Sequence, residues 1–314
     1  MKTQLTKTNW ECIFKRTRQV IGMAALGAAV LISSSASGQN LFVSGRDAQG
    51  GEIFKFTWDA KQSIFASGLY KPWDVAFDNS GNLFVVDYMI LNGELSNNAA
   101  IFKITPNGTI TIFASRVSYA SSLAINRAGI LFVADYDSGI IYQYKPDGSR
   151  DTFATGLYHP VGLTFDSAGN LFVADNSAGN IYQGSIYEYK PNGSRVTFAG
   201  LNPGDRPADL AFDSMGNLFM ADLGGNIYKY NISGVLRRYP RTTFGSVPTS
   251  AQSLAFDGAG NLLVVDAGAS VDGPAIANVI YKFTYQGTRS TFASGLASGE
   301  SFACVALQPS AVTQ

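Results

Sequence analysis

One pattern returns six times along this chain, imperfectly, and it limits the fold more than any other feature does. The clearest copy runs Val161-Gly162-Leu163-Thr164-Phe165-Asp166-Ser167-Ala168-Gly169-Asn170-Leu171-Phe172-Val173-Ala174-Asp175. It continues as Ile186-Tyr187-Glu188-Tyr189-Lys190-Pro191-Asn192-Gly193 and Val196-Thr197-Phe198-Ala199. Each copy reads as short strands of β-branched and aromatic residues punctuated by Gly-containing turns. The copies recur every roughly 40 to 50 residues.

Three columns align the copies. A Leu-Ala-Phe-Asp block stands at 75–78, 123–126, 163–166, 210–213 and 254–257. A Phe-Val-Ala-Asp block follows at 84–87, 132–135, 172–175, 219–222 and 263–266, with a weaker copy at 42–44. An Ile-Tyr-Lys-Tyr block occupies 53–56, 101–104, 141–144, 186–189, 227–230 and 280–283. The Asp-Ser-Ala-Gly-Asn and Pro-Asn-Gly segments between them are hairpin chemistry, with Pro presetting φ and Gly accepting a positive one. Four such strands per repeat predict an all-β, six-bladed β-propeller of four-stranded blades. The first copy lacks its innermost strand, and Ser301-Phe302-Ala303-Cys304-Val305-Ala306-Leu307-Gln308 matches that strand and nothing after it. The C-terminal strand is therefore expected to complete the first blade and close the ring, which removes exposed sheet edges.

Ahead of the repeats, residues 1–18 carry Lys2, Lys7, Lys15, Arg16 and Arg18, and 20–32 form an apolar run followed by small residues through Gly38. This reads as a signal peptide over 1–38, too short to span a bilayer comfortably, with an uncleaved anchor as the alternative. Residues 39–314 then form a single propeller domain, secreted or periplasmic, with no membrane span after cleavage and expected to be a monomer. Of 23 basic and 23 acidic residues the leader removes five and one, leaving 18 against 22. The mature chain is mildly acidic and lacks a nucleic-acid footprint. Cys12 leaves with the leader, so Cys304 has no disulfide partner within the chain.

The blocks at 210–213, 216–222 and 226–230 resemble those of NHL-repeat propellers and of the related senescence marker protein, gluconolactonase and strictosidine-synthase-like superfamily, and the resemblance spans residues 41–308. It implies the propeller fold, and it allows calcium-dependent lactonases, other hydrolases, lyases and pure binding domains, so function must be read from the site. Enzymes resembling gluconolactonase hold a divalent ion with Glu, Asn and Asp at the start of several inner strands. The corresponding column here reads Trp73, Ser121, Val161, Ala208, Gln252 and Ala303, which is poor in hard-cation ligands.

The next column reads Asp74, Ser122, Gly162, Asp209, Ser253 and Cys304. Its two carboxylates come from the second and fifth blades, opposite one another in a ring of six. They are candidates for catalysis or for a weak metal site, possible occupant Ca2+, with Ser122 and Ser253 beside them. Equally, they can cap the first amides of the inner strands. A second set, Asp87, Asp135, Asp175, Asp222 and Asp266, recurs in five copies and reads as turn-capping. Cys304 reads as a small buried residue rather than a nucleophile. Tyr70, Trp73, Tyr119, Tyr158 and His159, the only histidine, fall in connections expected on one face, where aromatic surface suits a sugar or planar ligand. Long insertions at 88–100 and 267–279, and a moderate one in the fourth copy, predict an uneven rim around a ligand cleft, with neutral loop drift as the alternative. Asn-x-Ser/Thr triplets at 107–109, 192–194 and 231–233 fit glycosylation, the first two also being turns. The basic stretch 237–241 reads as a charged outer edge. Two functions follow from these residues. One is a noncatalytic propeller binding a small molecule or partner protein on its loop face, through Trp73, Ser122, Tyr158, His159 and Ser253. The other is a calcium-dependent, gluconolactonase-like hydrolase working in the central channel through Asp74 and Asp209.

Overall fold

A computed structural model describes residues 40–47, 50–91, 94–176, 184–231, 241–266, 278–296 and 304–308. The expected leader, most of the 267–279 insertion and residues 232–240 lie outside them. The first sheet begins with β1 (Leu41–Asp47), β2 (Gly50–Phe56) and β3 (Gln62–Leu69). The second holds β4 (Pro72–Phe77), β5 (Leu83–Leu91), β6 (Glu94–Ile104) and β7 (Ile110–Ser118). The third holds β8 (Ala120–Ile125), β9 (Leu131–Asp135), β10 (Ile140–Tyr144) and β11 (Arg150–Ala154). The fourth holds β12 (Pro160–Phe165), β13 (Leu171–Asp175), β14 (Ser185–Tyr189) and β15 (Arg195–Gly200). The fifth holds β16 (Pro207–Phe212), β17 (Leu218–Asp222), β18 (Asn226–Tyr230) and β19 (Arg241–Ser246). The sixth holds β20 (Ala251–Phe256), β21 (Leu262–Asp266), β22 (Asn278–Phe283) and β23 (Arg289–Leu296), and β24 (Val305–Leu307) ends the chain's described part. The six sheets are four-stranded and antiparallel, and β24 joins the first of them in the order β24-β1-β2-β3. The result is a six-bladed β-propeller closed by its C-terminal strand, with Leu41 opposite Leu307 and Val43 opposite Val305. No helix among the described residues is long and apolar enough to cross a membrane.

The repeat columns now acquire physical roles. The second strand of each blade is buried along its whole length in β9, β13, β17 and β21, because both of its faces are covered by neighbouring blades. Its Phe sits edge-on to two others: Phe172 meets Phe198 of its own blade at 5.1 Å and Phe212 of the next at 4.9 Å. Phe132 with Phe153 and Phe165, Phe219 with Phe244 and Phe256, and Phe42 with Phe65 and Phe77 repeat the arrangement. Edge-to-face aromatic pairs of this kind contribute about 0.5–1.5 kcal/mol beyond their buried area. The Phe columns therefore join the first blade to the second, the third to the fourth, the fourth to the fifth and the fifth to the sixth.

The closing Asp of the Leu-Ala-Phe-Asp block is a hairpin clamp. Asp166 accepts the amides of Ala168 and Asn170 on Oδ1 and the Asn170 side-chain amide on Oδ2. Asp78, Asp213 and Asp257 repeat the clamp. Gly169 completes the turn at φ 85°, where a side chain would be strained.

Two expectations about the rim change. The 88–100 insertion is not a loose loop over its described part: β5 and β6 continue into it as a two-stranded ribbon reaching the Leu91–Glu94 pair. Arg241, read as part of a solvated edge, instead pairs with Asp205 and stacks 3.8 Å over Tyr228.

Candidate functional site

Five of the six innermost strands begin with an irregularity. Pairing with the second strand skips between Pro72 and Val75, Ala120 and Ser122, Pro160 and Gly162, Pro207 and Asp209, and Ala251 and Ser253. Such bulges re-aim side chains, and here they direct the Asp74 column sideways, onto the next blade. Asp74 accepts its following amide, Val75 N–H, at 2.7 Å and the Leu123 N–H of the third blade at 2.5 Å. Ser122 accepts Leu163 N–H of the fourth blade at 3.1 Å. In the fourth blade the column residue is Gly162, because a Cβ there would lie 3.1 Å from the Asp209 Cα. Asp209 accepts Leu210 N–H at 2.7 Å and, from the sixth blade, Leu254 N–H at 2.8 Å and Ser253 Oγ–H at 2.7 Å. Ser253 Oγ stands 3.2 Å from Cys304 Sγ, just before the closing strand. Cys304 in turn hydrogen-bonds Asp74 and is seated by Ser44, whose Oγ accepts its N–H and donates to its carbonyl. The column is thus a belt of bonds running from blade to blade.

Its electrostatics follow from position. Asp74 is buried, at 5% exposure, and desolvation holds its carboxyl above the usual carboxylate range against the amides and hydroxyl that favour the anion. Asp209 is pushed up to about 7 by desolvation and then by the Asp74 charge. Burial, with both carboxylates nearby, raises the Cys304 thiol well above its ordinary value. A thiol held protonated is a poor nucleophile.

The other carboxylate set ties down the connections between blades. Asp87 accepts the amides of Tyr70 and Lys71, Asp175 those of Tyr158 and His159, Asp222 those of Arg206 and Gly224, and Asp266 those of Thr249 and Ser250. Asp135 accepts Ser138 N–H within the turn after its strand. Among the described residues, Asp87, Asp175, Asp222 and Asp266 therefore anchor the connection entering their own blade, and Asp135 and Asp222 hold the turn after the second strand.

The connection anchored by Asp175 carries Tyr158 and His159, whereas Trp73, expected in a connection, stands in β4 and Tyr88 in β5. Tyr136 and His159 stack in parallel, with centroids 4.1 Å apart, and Tyr158, 51% exposed, meets His159 edge-on at 4.5 Å. His159 Nδ1 lies 3.0 Å from the Tyr136 carbonyl. A carbonyl can only accept, so Nδ1 carries the proton. Toward the second blade, Tyr88 lies 6.2 Å from Trp73 and 6.5 Å from Tyr119, and its hydroxyl donates to the Ala120 carbonyl. The Lys71 ammonium stands 5.7 Å over Trp73. Tyr119 holds a φ of 28°, a strained backbone for a side-chain-bearing residue.

Of the sequence-derived candidates, the structure gathers Asp74, Asp209, Ser122, Ser253 and Cys304 into the inner belt. It places Trp73, Tyr158 and His159 in the aromatic face above the second to fourth blades. Sequence reading passed over Tyr88 and Tyr136, each directly after the Asp of the Phe-Val-Ala-Asp block. An aromatic at that spot in only two repeats was the available signal. A calcium ion needs six to eight oxygens. The four carboxyl oxygens of Asp74 and Asp209 already accept N–H or O–H donors, and among the described residues no three His, Cys, Asp or Glu side chains form a metal-binding group. These residues do not fit a calcium ion.

Residues 194–230 match the family described as strictosidine synthase-like, N-terminal. No curated protein sequence matches the chain. Among solved structures, a chain of a nidogen/laminin complex is 18% identical, with a TM-score of 0.68, over 87% of this chain and 99% of that one. The virginiamycin B lyase of Staphylococcus aureus is 18% identical, with a TM-score of 0.59, over 92% and 93%. A gluconolactonase of Xanthomonas campestris is 16% identical, with a TM-score of 0.59, over 78% and 84%. At these identities the likeness is one of fold, shared by proteins of different function. The chain is a six-bladed β-propeller with the fold of the gluconolactonase and strictosidine-synthase-like group.

Proposed function

We propose that the chain is a secreted or periplasmic propeller that binds, without catalysis, a small planar or sugar-like ligand or a partner protein on its loop face. In this reading residues 1–38 direct export and 39–314 form one monomeric domain. One observation carries it: the carboxylates at the mouths of the inner strands are taken up by backbone amides, whereas Tyr158 and His159 sit on a connection held by Asp175 and Trp73 stands at the start of β4. Trp73, Tyr158 and His159 supply the stacking surface, with Tyr88 and Tyr136 behind them. Ser122 and Ser253 belong to the inner belt in this account, since Ser122 accepts Leu163 N–H and Ser253 donates to Asp209. The nidogen/laminin likeness is compatible with a protein partner. The test is a ligand screen by NMR on the exported form, with Tyr158→Ala and His159→Ala alongside. Binding weakened at least about tenfold in these variants, with unchanged melting, supports the proposal, since aromatic contacts at binding centres commonly contribute that much.

The hydrolase reading keeps one observation of its own, the Asp209 carboxyl held at about 7, where a general base is effective. Calcium titration by calorimetry after chelation, together with a lactone and ester screen, separates the two. Stoichiometric calcium binding lost in Asp74→Asn, or turnover lost in Asp209→Asn, would displace the binding proposal.

A further inference from the structure

The inner belt contains a run of four side chains from four different blades: Asp209, Ser253, Cys304 and Asp74. Three hydrogen bonds connect them, Asp209 to Ser253 at 2.7 Å, Ser253 to Cys304 at 3.2 Å, and Cys304 to Asp74. Every hydrogen bond needs one proton between its two heavy atoms. The serine hydroxyl and the cysteine thiol bring one each. With all three contacts hydrogen-bonded at once, the third comes from a carboxyl group. If Ser253 donates to Asp209, Cys304 donates to Ser253 and the O–H of Asp74 donates to sulfur. If the run is reversed, the O–H lies on Asp209. Both directions leave one proton on the pair and one carboxylate.

Among the described residues, the groups facing this run are few and carry no compensating positive charge. Asp74 faces Ser122, Cys304, Asp209 and the Tyr88 phenol; Asp209 faces Asp74, Ser253 and Cys304. Cys304 leads directly into β24, whose pairing with β1 closes the ring. A second negative charge in the belt therefore acts against the residue that seats the closing strand.

We propose that Asp74 and Asp209 share one proton through Ser253 and Cys304, and that its loss as pH rises makes the closure of the ring a pH-sensitive latch. The sign follows from linkage. Both carboxyls titrate above the unfolded value of 3.8, Asp209 at about 7. The stabilisation is complete below the unfolded value and is lost as pH rises through the folded one, so the latch is tightest in acid and loosens toward and above neutrality. The proposal does not depend on what the loop face binds.

The experiment compares the exported protein at about pH 5 and about pH 9 by hydrogen exchange, expressed as protection factors, and by thermal melting. Protection of Val305–Leu307 should fall at least about tenfold between the two, and melting should drop by several degrees. Asp209→Asn, which keeps shape and acceptor while removing the charge, should abolish most of that pH dependence. Asp87, pushed up to about 6, and Asp137 and Asp175, also raised by burial, contribute in the same direction. Asp87→Asn and Asp175→Asn are therefore measured in parallel. Equal protection at both pH values overturns the latch, as does a dependence that survives Asp209→Asn and disappears in Asp87→Asn or Asp175→Asn. Should the Asn variant fail to fold, infrared spectroscopy of the unmodified protein decides. A protonated-carboxyl band that persists in acid and disappears near neutrality supports a shared proton, and its absence in acid excludes one.

Discussion

Aspartate shows how far one residue type can diverge in role within a repeat. Asp166 closes a solvent-facing hairpin, Asp175 holds a connection, and Asp209 joins two inner strands. The cost of removal should follow the burial of the amides each leaves behind, because an orphaned buried donor costs about 1–3 kcal/mol while an exposed one turns to water. Asp74→Ala, which strands the buried amides of Val75 and Leu123, is expected to destabilise by about 2–4 kcal/mol in chemical denaturation. Asp166→Ala should cost about 1 kcal/mol. Equal losses would show that the inner belt has no special weight. Asp87 adds a pH effect of its own. Its carboxyl is pushed up to about 6 by desolvation, so the stability it contributes is complete below the unfolded value and is lost as pH rises through about 6. Asp87→Asn should flatten the melting temperature over that interval.

At the scale of single strands, the innermost ones bear the tightest constraint. Gly162 has backbone of β16 against it, and Gly162→Ala must push strands apart, at a cost of about 1–3 kcal/mol measured by denaturation. A melt identical to the parent's would mean that β12 and β16 can separate without penalty. The closing strand is short but holds an edge. Deleting residues 304–314 removes the partner of Leu41, Phe42 and Val43 and exposes β1 as an unpaired apolar strand. Severe destabilisation and light-scattering growth on storage are the expected results. The outer strands carry a different device. Arg150, Arg195, Arg241 and Arg289 stack on Tyr142, Tyr187, Tyr228 and Tyr281 in the third to sixth blades, while Gln62 and Ile110 stand at the corresponding strand starts in the first two.

For the molecule as a whole, the propeller divides its work between a rigid ring and a loop face anchored to it. Tyr158→Ala and His159→Ala should change folding stability by less than about 1 kcal/mol while altering what the face binds, since Tyr158 is half exposed and its connection is held by backbone amides on Asp175. Loss of stability without change in binding would make the Tyr136–His159 stack a plug between blades.

The sequence by itself determined the blade, the count of six and the closing strand, because each depends on local signals: alternation, turn residues and a repeat out of phase at its ends. It also placed Asp74, Ser122, Asp209, Ser253 and Cys304 in one column. What those residues do was decided only by closure of the ring. The bulges at the starts of five inner strands turn their side chains onto a neighbouring blade, and register shifts of that kind leave no mark in a pattern of residue types. Asp209 and Cys304, or Cys304 and Asp74, are separated by long stretches of chain and interact only because a circle brings its ends together. Burial then sets their protonation, a property of the surrounding dielectric that no column of aspartates contains.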